Sequence, residues 1–156
     1  MRKKEREVSG REGIEEILQG CRTCRLGMYD GDTPYVVPLS FGYEFAGDDV
    51  LELYFHCAFE GKKIDILRHG NRVCFEISRE GEAIKGDDVC KWGYSYSSVI
   101  GYGEAVFVDG DDEKCRALSS IVRRQSGLDV VFDRERAAGV CVFKVVSAEF
   151  TGKKLA

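Results

Sequence analysis

The chain has 156 residues, a length that fits one folded domain and not two, since domains usually hold about 100–200 residues. Hydrophobic residues make up 44% of it and charged residues 32%, a balance that excludes both a disordered chain and a membrane-spanning one. The formal net charge of −4 argues against a protein that binds the phosphate backbone of nucleic acids.

The N-terminus is a short basic segment, Met1 to Arg6, that no apolar segment follows, so it does not have the pattern of a secretory signal. We predict a single domain over residues 1–156 whose residues 1–8 form a frayed, solvated end. The chain has seven cysteines, an odd number. Without a secretory signal, this number indicates reduced thiols and a cytoplasmic protein.

The first predicted element is a short helix. Ser9 and Glu12 have the spacing of a capping box, and Ile17 and Leu18 follow at helical spacing before Gly20 ends the helix.

A hairpin comes next, with one strand beginning at Thr23 and a second over residues 35–43, joined by turn residues at 30–34. Pro38 lies within the second strand and cannot donate a hydrogen bond to a neighbour. We therefore expect it at a sheet edge, at a bulge, or where something other than a strand approaches.

The third strand covers residues 50–56 and places Leu51, Leu53 and Phe55 on one face and Glu52, Tyr54 and His56 on the other. A helix over 61–69, a strand over 72–77 and an aperiodic polar stretch over 78–92 come next. They are followed by a β-rich segment over 94–108 and a helix from 111 or 112 to 127. The last predicted element is a strand over 140–146, which residues 149–150 extend after a bulge. Gly101 and Gly103 are expected to mark a bend, a bulge or a close backbone approach. Antiparallel β structure with covering helices follows, either a small barrel or a two-layer sheet.

Lys62 and Lys63 stand at the start of a predicted helix, directly after the turn that follows His56. Two lysines are unfavourable there, because the positive end of the helix dipole repels them. They make sense if backbone N–H groups and ammonium groups bind an anion such as a phosphate. The alternative is that both are solvated surface lysines, and that the histidine has a structural role.

Two further segments carry chemistry. Residues 92–99 combine three aromatic rings with three hydroxyls, which suits a planar ligand but also fits an ordinary strand with a polar face. Cys21 and Cys24 form a C-x-x-C pair that could be a redox or zinc site. A second pair of ligands is missing from the sequence, and the motif leaves a helix rather than opening one, so a structural role is favoured.

Three blocks, residues 34–41, 51–67 and 96–105, resemble the flavin-binding split-barrel proteins related to pyridoxamine 5′-phosphate oxidase. Within that superfamily the chain looks closest to the nitroimidazole-resistance proteins. The resemblance implies a mainly β protein with flanking helices, a six-stranded antiparallel split β-barrel that works as a homodimer with FMN between the subunits.

The resemblance also implies the roles of individual residues. The predicted cofactor-binding residues are Pro38, Leu39 and Ser40 along the flavin ring, His56, Cys57 and Ala58 at its edge, Lys62 and Lys63 at the phosphate, and Tyr96, Ser97, Ser98 and Val99 in a neighbouring block. Lys63 is the stronger phosphate candidate. His56 would orient a substrate, tune the flavin or donate a proton, since imidazole titrates near neutral pH.

Two departures from the family pattern bear on the substrate. Cys57 stands where similar proteins often have glycine, and the C-terminus lacks the arginine-rich ending with which pyridoxamine-phosphate oxidases hold their substrate. The leading hypothesis is thus an FMN-dependent oxidoreductase of the nitroimidazole-reductase type that acts on a small molecule, with a reduced nicotinamide as one candidate electron donor. The alternatives are a non-catalytic protein that stores or senses flavin or binds haem through His56, and a thiol or zinc protein.

Overall fold

The computed structural model describes residues 3–47 and 49–156, so the first two residues of the predicted frayed end lie outside it. The strands are β1 (Glu7–Val8), β2 (Thr23–Asp30), β3 (Thr33–Ser40), β4 (Gly42–Phe45), β5 (Leu51–Cys57), β6 (Arg72–Ile84), β7 (Gly93–Phe107) and β8 (Cys141–Leu155). The helices are α1 (Arg11–Gln19), α2 (Lys62–His69), α3 (Asp111–Ser126) and the short α4 (Arg134–Ala138), with single 3-10 turns at Lys4–Arg6 and Val89–Lys91.

All the strands join one antiparallel sheet in the order β3-β2-β6-β7-β8-β5-β4, and β1 pairs with β8 beside this path. Within the described residues β3 and β4 are the two ends of the sheet, which curls without closing. The prediction of a mainly β, antiparallel split barrel with flanking helices is therefore confirmed. The described residues form eight strands rather than six, since the short β1 and β4 also pair.

The inside of the barrel is filled by alternate residues of its strands. Leu51, Leu53 and Phe55 of β5 are all fully buried, as their spacing predicts. Phe55 stacks on Phe143 of β8 with ring centroids 5.1 Å apart. Each such side chain contributes about 1.5–3 kcal/mol of burial free energy.

A second, smaller core lies outside the barrel, where α3 covers β4 and β5. Its buried members include Tyr54 of β5, Leu118 and Ile121 of α3, and Val142 of β8. Tyr54 is thus buried, although the alternation of β5 assigns it to a polar face. α3 can approach because Gly42 has no side chain: a Cβ there would lie 2.9 Å from the backbone nitrogen of Ile121.

Three local predictions are wrong. α1 begins without a side-chain cap at Gly10, whose φ of 81° turns the chain, so Ser9 does not form the predicted capping box. Residues 7–8, expected to fray, pair with β8. The polar stretch from Ser78 to Ile84 belongs to β6, because pairing with β7 imposes strand geometry on it without help from a hydrophobic pattern.

The prediction for the two glycines of β7 is confirmed. A Cβ at Gly101 would lie 2.7 Å from Cβ of Phe150, and one at Gly103 would overlap the carbonyl of Val146. The pairing of β7 with β8 shifts register between Tyr102 and Glu104. β8 itself continues without interruption to Leu155. In the described part of the chain, no helix has the length and apolarity needed to cross a membrane.

Candidate functional site

His56, Cys57 and Ala58 lie where β5 ends and the turn to α2 begins. His56 is opposite Val142 of β8 and Cys57 is opposite Cys141, so pairing with β8 fixes the position of this corner. His56 and Ala58 are exposed, and Cys57 is half-buried. The end of the strand therefore presents an imidazole to the surface beside a partly covered thiol.

α2 begins at Lys62 after Gly61, which has a φ of 136° and provides no side-chain cap. The exposed Lys62 places Nζ 3.0 Å from Oδ2 of Asp30 and 4.8 Å from the ring centroid of Tyr35. It thus joins α2 to the hairpin of β2 and β3. Lys63 is half-buried and lies close enough to Cys57 to favour its thiolate electrostatically.

The two lysines consequently differ in their capacity to hold an anion. Lys62 already has a carboxylate partner, whereas Lys63 forms no ion pair with any residue of 3–47 or 49–156. Since α2 lacks a side-chain cap, its first backbone N–H groups point out of the helix beside Lys63. The donors present fit an anion such as a phosphate group, and in the described residues Lys63 is the lysine of the two without a carboxylate partner.

Pro38, Leu39 and Ser40 form the end of β3, and β3 pairs only with β2 among the described strands. Of the three positions predicted for Pro38, the structure shows the sheet edge. Pro38 is exposed opposite Arg25, while Leu39 is half-buried and packs on the barrel core. The free edge of β3 therefore offers backbone polar groups to a ligand or a second chain.

Tyr96 to Val99 lie on β7, between β6 and β8. Ser97 and Val99 point inward and are buried, while Tyr96 and Ser98 point outward and are half-buried. A hydrogen bond with Arg6 is the main cause that lowers the pKa of the Tyr96 phenol, and one with Lys153 contributes less. A ligand on the outer surface can therefore reach two of these four side chains without rearrangement.

The structure brings two of the three predicted blocks together. β3 contacts β5, and β4, which begins two residues after Ser40, places Gly42 opposite Tyr54 of β5. The end of β3 therefore lies near the end of β5 that carries His56. Residues 96–99 are on the same level of the sheet, because Leu39, Cys24, Ile77 and Val99 are in register across four strands. Three strand spacings, about 14 Å, separate this third block from β3.

A cavity of about 810 Å³ lies next to Lys62. It is an open groove between the β2–β3 hairpin and α2, lined by Tyr29, Asp30, Lys62, Asp65 and His69 among others. Its volume falls within the range of small-molecule sites. Asp30 and His69 are not among the predicted site residues, because the contact between hairpin and helix has no local signal in the sequence.

Cys21 and Cys24 are both buried in the barrel core. Burial raises the pKa of both thiols, which therefore remain protonated and unreactive at neutral pH. In the described residues no group of three or more potential metal ligands comes together. The pair is part of the hydrophobic core.

Comparison with known proteins addresses the family. No curated protein matches the chain. A candidate 5-nitroimidazole antibiotic resistance protein from Bacteroides thetaiotaomicron VPI-5482 is 30% identical, with a TM-score of 0.79 over 95% of this chain and 86% of its own.

Two more distant structures share the fold. The flavocytochrome Anf3 from Azotobacter vinelandii has 19% identity and a TM-score of 0.78 over 100% of this chain and 72% of its own. A FAD- and haem-binding protein from Mycobacterium smegmatis has 17% identity and a TM-score of 0.77 over 96% of this chain and 73% of its own. The sequence profile described as pyridoxamine 5′-phosphate oxidase matches residues 10–154. Because this match covers nearly the whole fold, the chain belongs to the pyridoxamine 5′-phosphate oxidase family.

Proposed function

We propose that the protein is an FMN-dependent oxidoreductase of the nitroimidazole-reductase type, acting in the cytoplasm as a homodimer with FMN between its subunits. The observation that carries the proposal is the likeness to the Bacteroides protein, which extends over 95% of the chain at 30% identity. The location of residues 38–40 and 56–63 around one open region supports the same conclusion.

The residues of the chain would divide the work of binding. Lys63 and the uncapped start of α2 would hold the phosphate, and Lys62 would fix the hairpin against the helix through Asp30. The edge of β3 would lie along the ring, with the exposed His56 at its rim. When bound, FMN supplies the electron transfer, while His56 orients the substrate and holds an exchangeable proton at its imidazole.

A homodimer is supported by an exposed area that we call the open face, on the outside of β3, β2, β6 and β7. Val36, Gly27, Cys74 and Tyr102 form one row across these strands. Ile100 lies in the next row, whose middle holds the ion pair of Arg25 and Glu76. Val36 is 61% exposed, Tyr102 46% and Ile100 44%. Large side chains grouped in this way on one face are typical of an interaction surface.

The first experiment is the visible spectrum and solution mass of the purified protein. We expect two broad flavin bands in the near-ultraviolet and blue, and a mass twice that of the chain. Anaerobic addition of reduced nicotinamide should bleach the blue band, and a nitroimidazole should restore it. A colourless protein that does not take up added FMN would refute the proposal, and so would a flavin that the nitroimidazole does not reoxidise.

A charged substitution tests the dimer separately. Tyr102→Glu should yield a monomer with an unchanged circular dichroism spectrum, because it puts a carboxylate on the open face. The matched control is Tyr94→Glu, which changes an exposed tyrosine of the same strand outside the two rows that define the open face. A wild-type monomer, or a dimer that survives Tyr102→Glu, would contradict this interface.

A second candidate is a non-catalytic flavin- or haem-binding protein. It draws on the exposed position of His56 at a strand end and on the flavocytochrome and the FAD- and haem-binding protein that share the fold. A sharp Soret band that is lost in His56→Ala would favour haem. Flavin that binds but is not reduced by any donor would favour storage or sensing.

A further inference from the structure

Two cysteines stand directly opposite each other at the end of the β5–β8 ladder. Cys57 is the last residue of β5, Cys141 is the first residue of β8, and the two are register partners. Directly opposed residues of antiparallel strands have Cα atoms about 4.5–5.5 Å apart. This range lies within the roughly 4.4–6.8 Å that a disulfide bond requires.

The side chains as well as the backbones meet. Both thiols are free and half-buried, and they are close enough for Cys141 to contribute to the raised pKa of the Cys57 thiol. The other strand cysteines lack such a partner: Cys24 is opposite Leu39 and Ile77, and Cys74 is opposite Gly27 and Tyr102. Cys57 and Cys141 are thus the cross-strand cysteine pair of the described sheet.

Cys141 is the member of this pair that lines a surface cavity. A cavity of about 370 Å³ opens onto Cys141 and is also lined by Phe59, Arg68, Lys114 and Asp109. The ammonium group of Lys114 lies 5.6 Å from the ring centroid of Phe59. With two cations and one carboxylate, the lining favours a negatively charged reagent over a positively charged one.

We propose that Cys57 and Cys141 form a reversible disulfide by exchange with anionic low-molecular-weight disulfides that enter through this cavity. The thiolate of Cys141 attacks one sulfur of the small disulfide, forms a mixed disulfide and releases one small thiolate. Cys57 then loses its proton to solvent and attacks the sulfur of Cys141, which expels the second small thiolate. Two electrons pass from the protein to the small disulfide, and the two protein protons end on the two released thiols.

The order of attack follows from the surroundings of the two sulfurs. Burial raises the pKa of Cys57 to about 11, Cys141 adds to the rise, and Lys63 opposes it. Cys57 is therefore protonated at neutral pH and is a poor first nucleophile. Since the cavity opens on Cys141, that residue takes the first step and Cys57 resolves the mixed disulfide.

The experiment uses the reduced, purified full chain with glutathione disulfide as the probe. After exposure and alkylation of the remaining thiols, mass spectrometry of the digested protein should show the peptides of Cys57 and Cys141 linked. Dithiothreitol should restore both thiols. If the linked peptide is absent from protein that keeps its native circular dichroism spectrum, or forms only in denaturant, the proposal is wrong.

Variants separate the two steps. Cys57→Ser should accumulate a glutathione adduct on Cys141, whereas Cys141→Ser should gain severalfold less adduct on Cys57. Cys90→Ser, which removes an exposed cysteine in a 3-10 turn, is the matched control and should link as the wild type does. Equal adduct formation in the first two variants would overturn the assigned entry through Cys141.

The charge of the reagent is tested with cystamine, a disulfide that carries two cations. It should link the pair severalfold more slowly than glutathione disulfide, relative to their rates with a free thiol in solution. Equal relative rates would remove the anionic class from the proposal. All these measurements detect the state of the thiols, so their outcome does not depend on whether the protein binds flavin.

Discussion

The two outer sides of the sheet differ in how far their outward-facing side chains are covered. On the outside of β4 and β5, α3 covers the strands and buries Tyr54, Leu118 and Ile121 in a second core. Within the described residues, the open face on β3, β2, β6 and β7 leaves Val36 and Tyr102 exposed. One side is thus covered within the chain, while the other is the surface that we propose for contact with a second copy.

The polar contents of the two sides differ as well. Beneath α3, Lys144 donates to Oε1 of Glu52 at 3.0 Å and to Oε1 of Glu113 at 2.6 Å. The hydroxyl of Tyr54 donates to Oε2 of Glu52 at 2.9 Å, with Glu44 also within 3.3 Å. Beside the open face, the ion pair of Arg72 on β6 and Glu149 on β8 is exposed to solvent. The comparison predicts that equivalent substitutions on the two sides have unequal effects.

The largest expected effect comes from truncating the covered core. Ile121→Ala removes a side chain that is 1% exposed and should lower the free energy of unfolding by about 2–5 kcal/mol in urea denaturation. Ile100→Ala on the open face is the matched control and should cost less than about 0.5 kcal/mol at protein concentrations where the chain is monomeric. Equal losses in dilute protein would break the distinction between the two sides.

Next in size is the loss of the lysine beneath α3. Lys144→Met leaves Glu52 and Glu113 without their cation and should cost about 1.5–3 kcal/mol at neutral pH, the usual value of hydrogen bonds to charged groups. The measurement is urea denaturation at several pH values. Lys154→Met, which removes the lysine of the more exposed pair with Glu16, is the control and should cost clearly less.

The pH dependence of this pair has a definite sign. The hydrogen bond from Lys144 lowers the pKa of Glu113, so its stabilisation is complete above the ordinary glutamate value of about 4.3 and is lost as the pH falls through the lower folded value. Burial opposes protonation of Lys144, but its hydrogen bonds to Glu113 and Glu52 prevail and raise its pKa, which stabilises the fold below the ordinary lysine value. Lys144→Met should flatten the acid-side loss of stability, and an unchanged slope would contradict this account.

A smaller effect, of about tenfold in the dissociation constant or ~1.4 kcal/mol, is expected for FMN binding in Lys63→Ala. Lys62→Ala should weaken binding less, because Asp30 already neutralises that ammonium group. Fluorescence quenching of FMN on titration with protein measures both values. If Lys62→Ala had the larger effect, or if neither variant changed the affinity, the phosphate assignment would be wrong.

The smallest expected change in the free energy of unfolding comes from the exposed ion pair beside the open face. Arg72→Ala breaks an ion pair whose two side chains are both more than half exposed, and it should change the free energy of unfolding by less than about 1 kcal/mol. The effect should shrink further in high salt, because salt screens exposed charges. A loss of unfolding free energy as large as that of Lys144→Met would show that this ion pair is buried in the folded protein.

Local patterns predicted what depends on neighbours along the chain. The alternation of Leu51, Leu53 and Phe55 identified both β5 and its inward face, and Pro38 identified an edge strand. Local patterns did not predict features that depend on contacts with elements distant in the sequence. Tyr54 is buried because α3 packs on it from some sixty positions along the chain, as its contact with Glu113 shows. Ser78 to Ile84 forms a strand because β7 pairs with it.

The candidate site follows the same rule. The identity of Lys62 and Lys63 as a cationic pair at a helix start is visible in the sequence and correct in position. Their inequality is not visible, because Asp30 reaches Lys62 only through the folding of the hairpin. Likewise, the residues around Cys57 do not predict its proximity to Cys141, because the register of β5 with β8 brings the two together.

β8 has a consequence for how the molecule assembles. It pairs with β7, β5 and β1, and it is the strand that joins β3-β2-β6-β7 to β5-β4. It also follows the other described strands in the sequence, so β3-β2-β6-β7 and β5-β4 can join into one sheet only after residues 141–155 have been synthesised. Formation of the barrel then awaits contacts between distant parts of the chain, which makes folding slow and leaves strand edges temporarily open to aggregation.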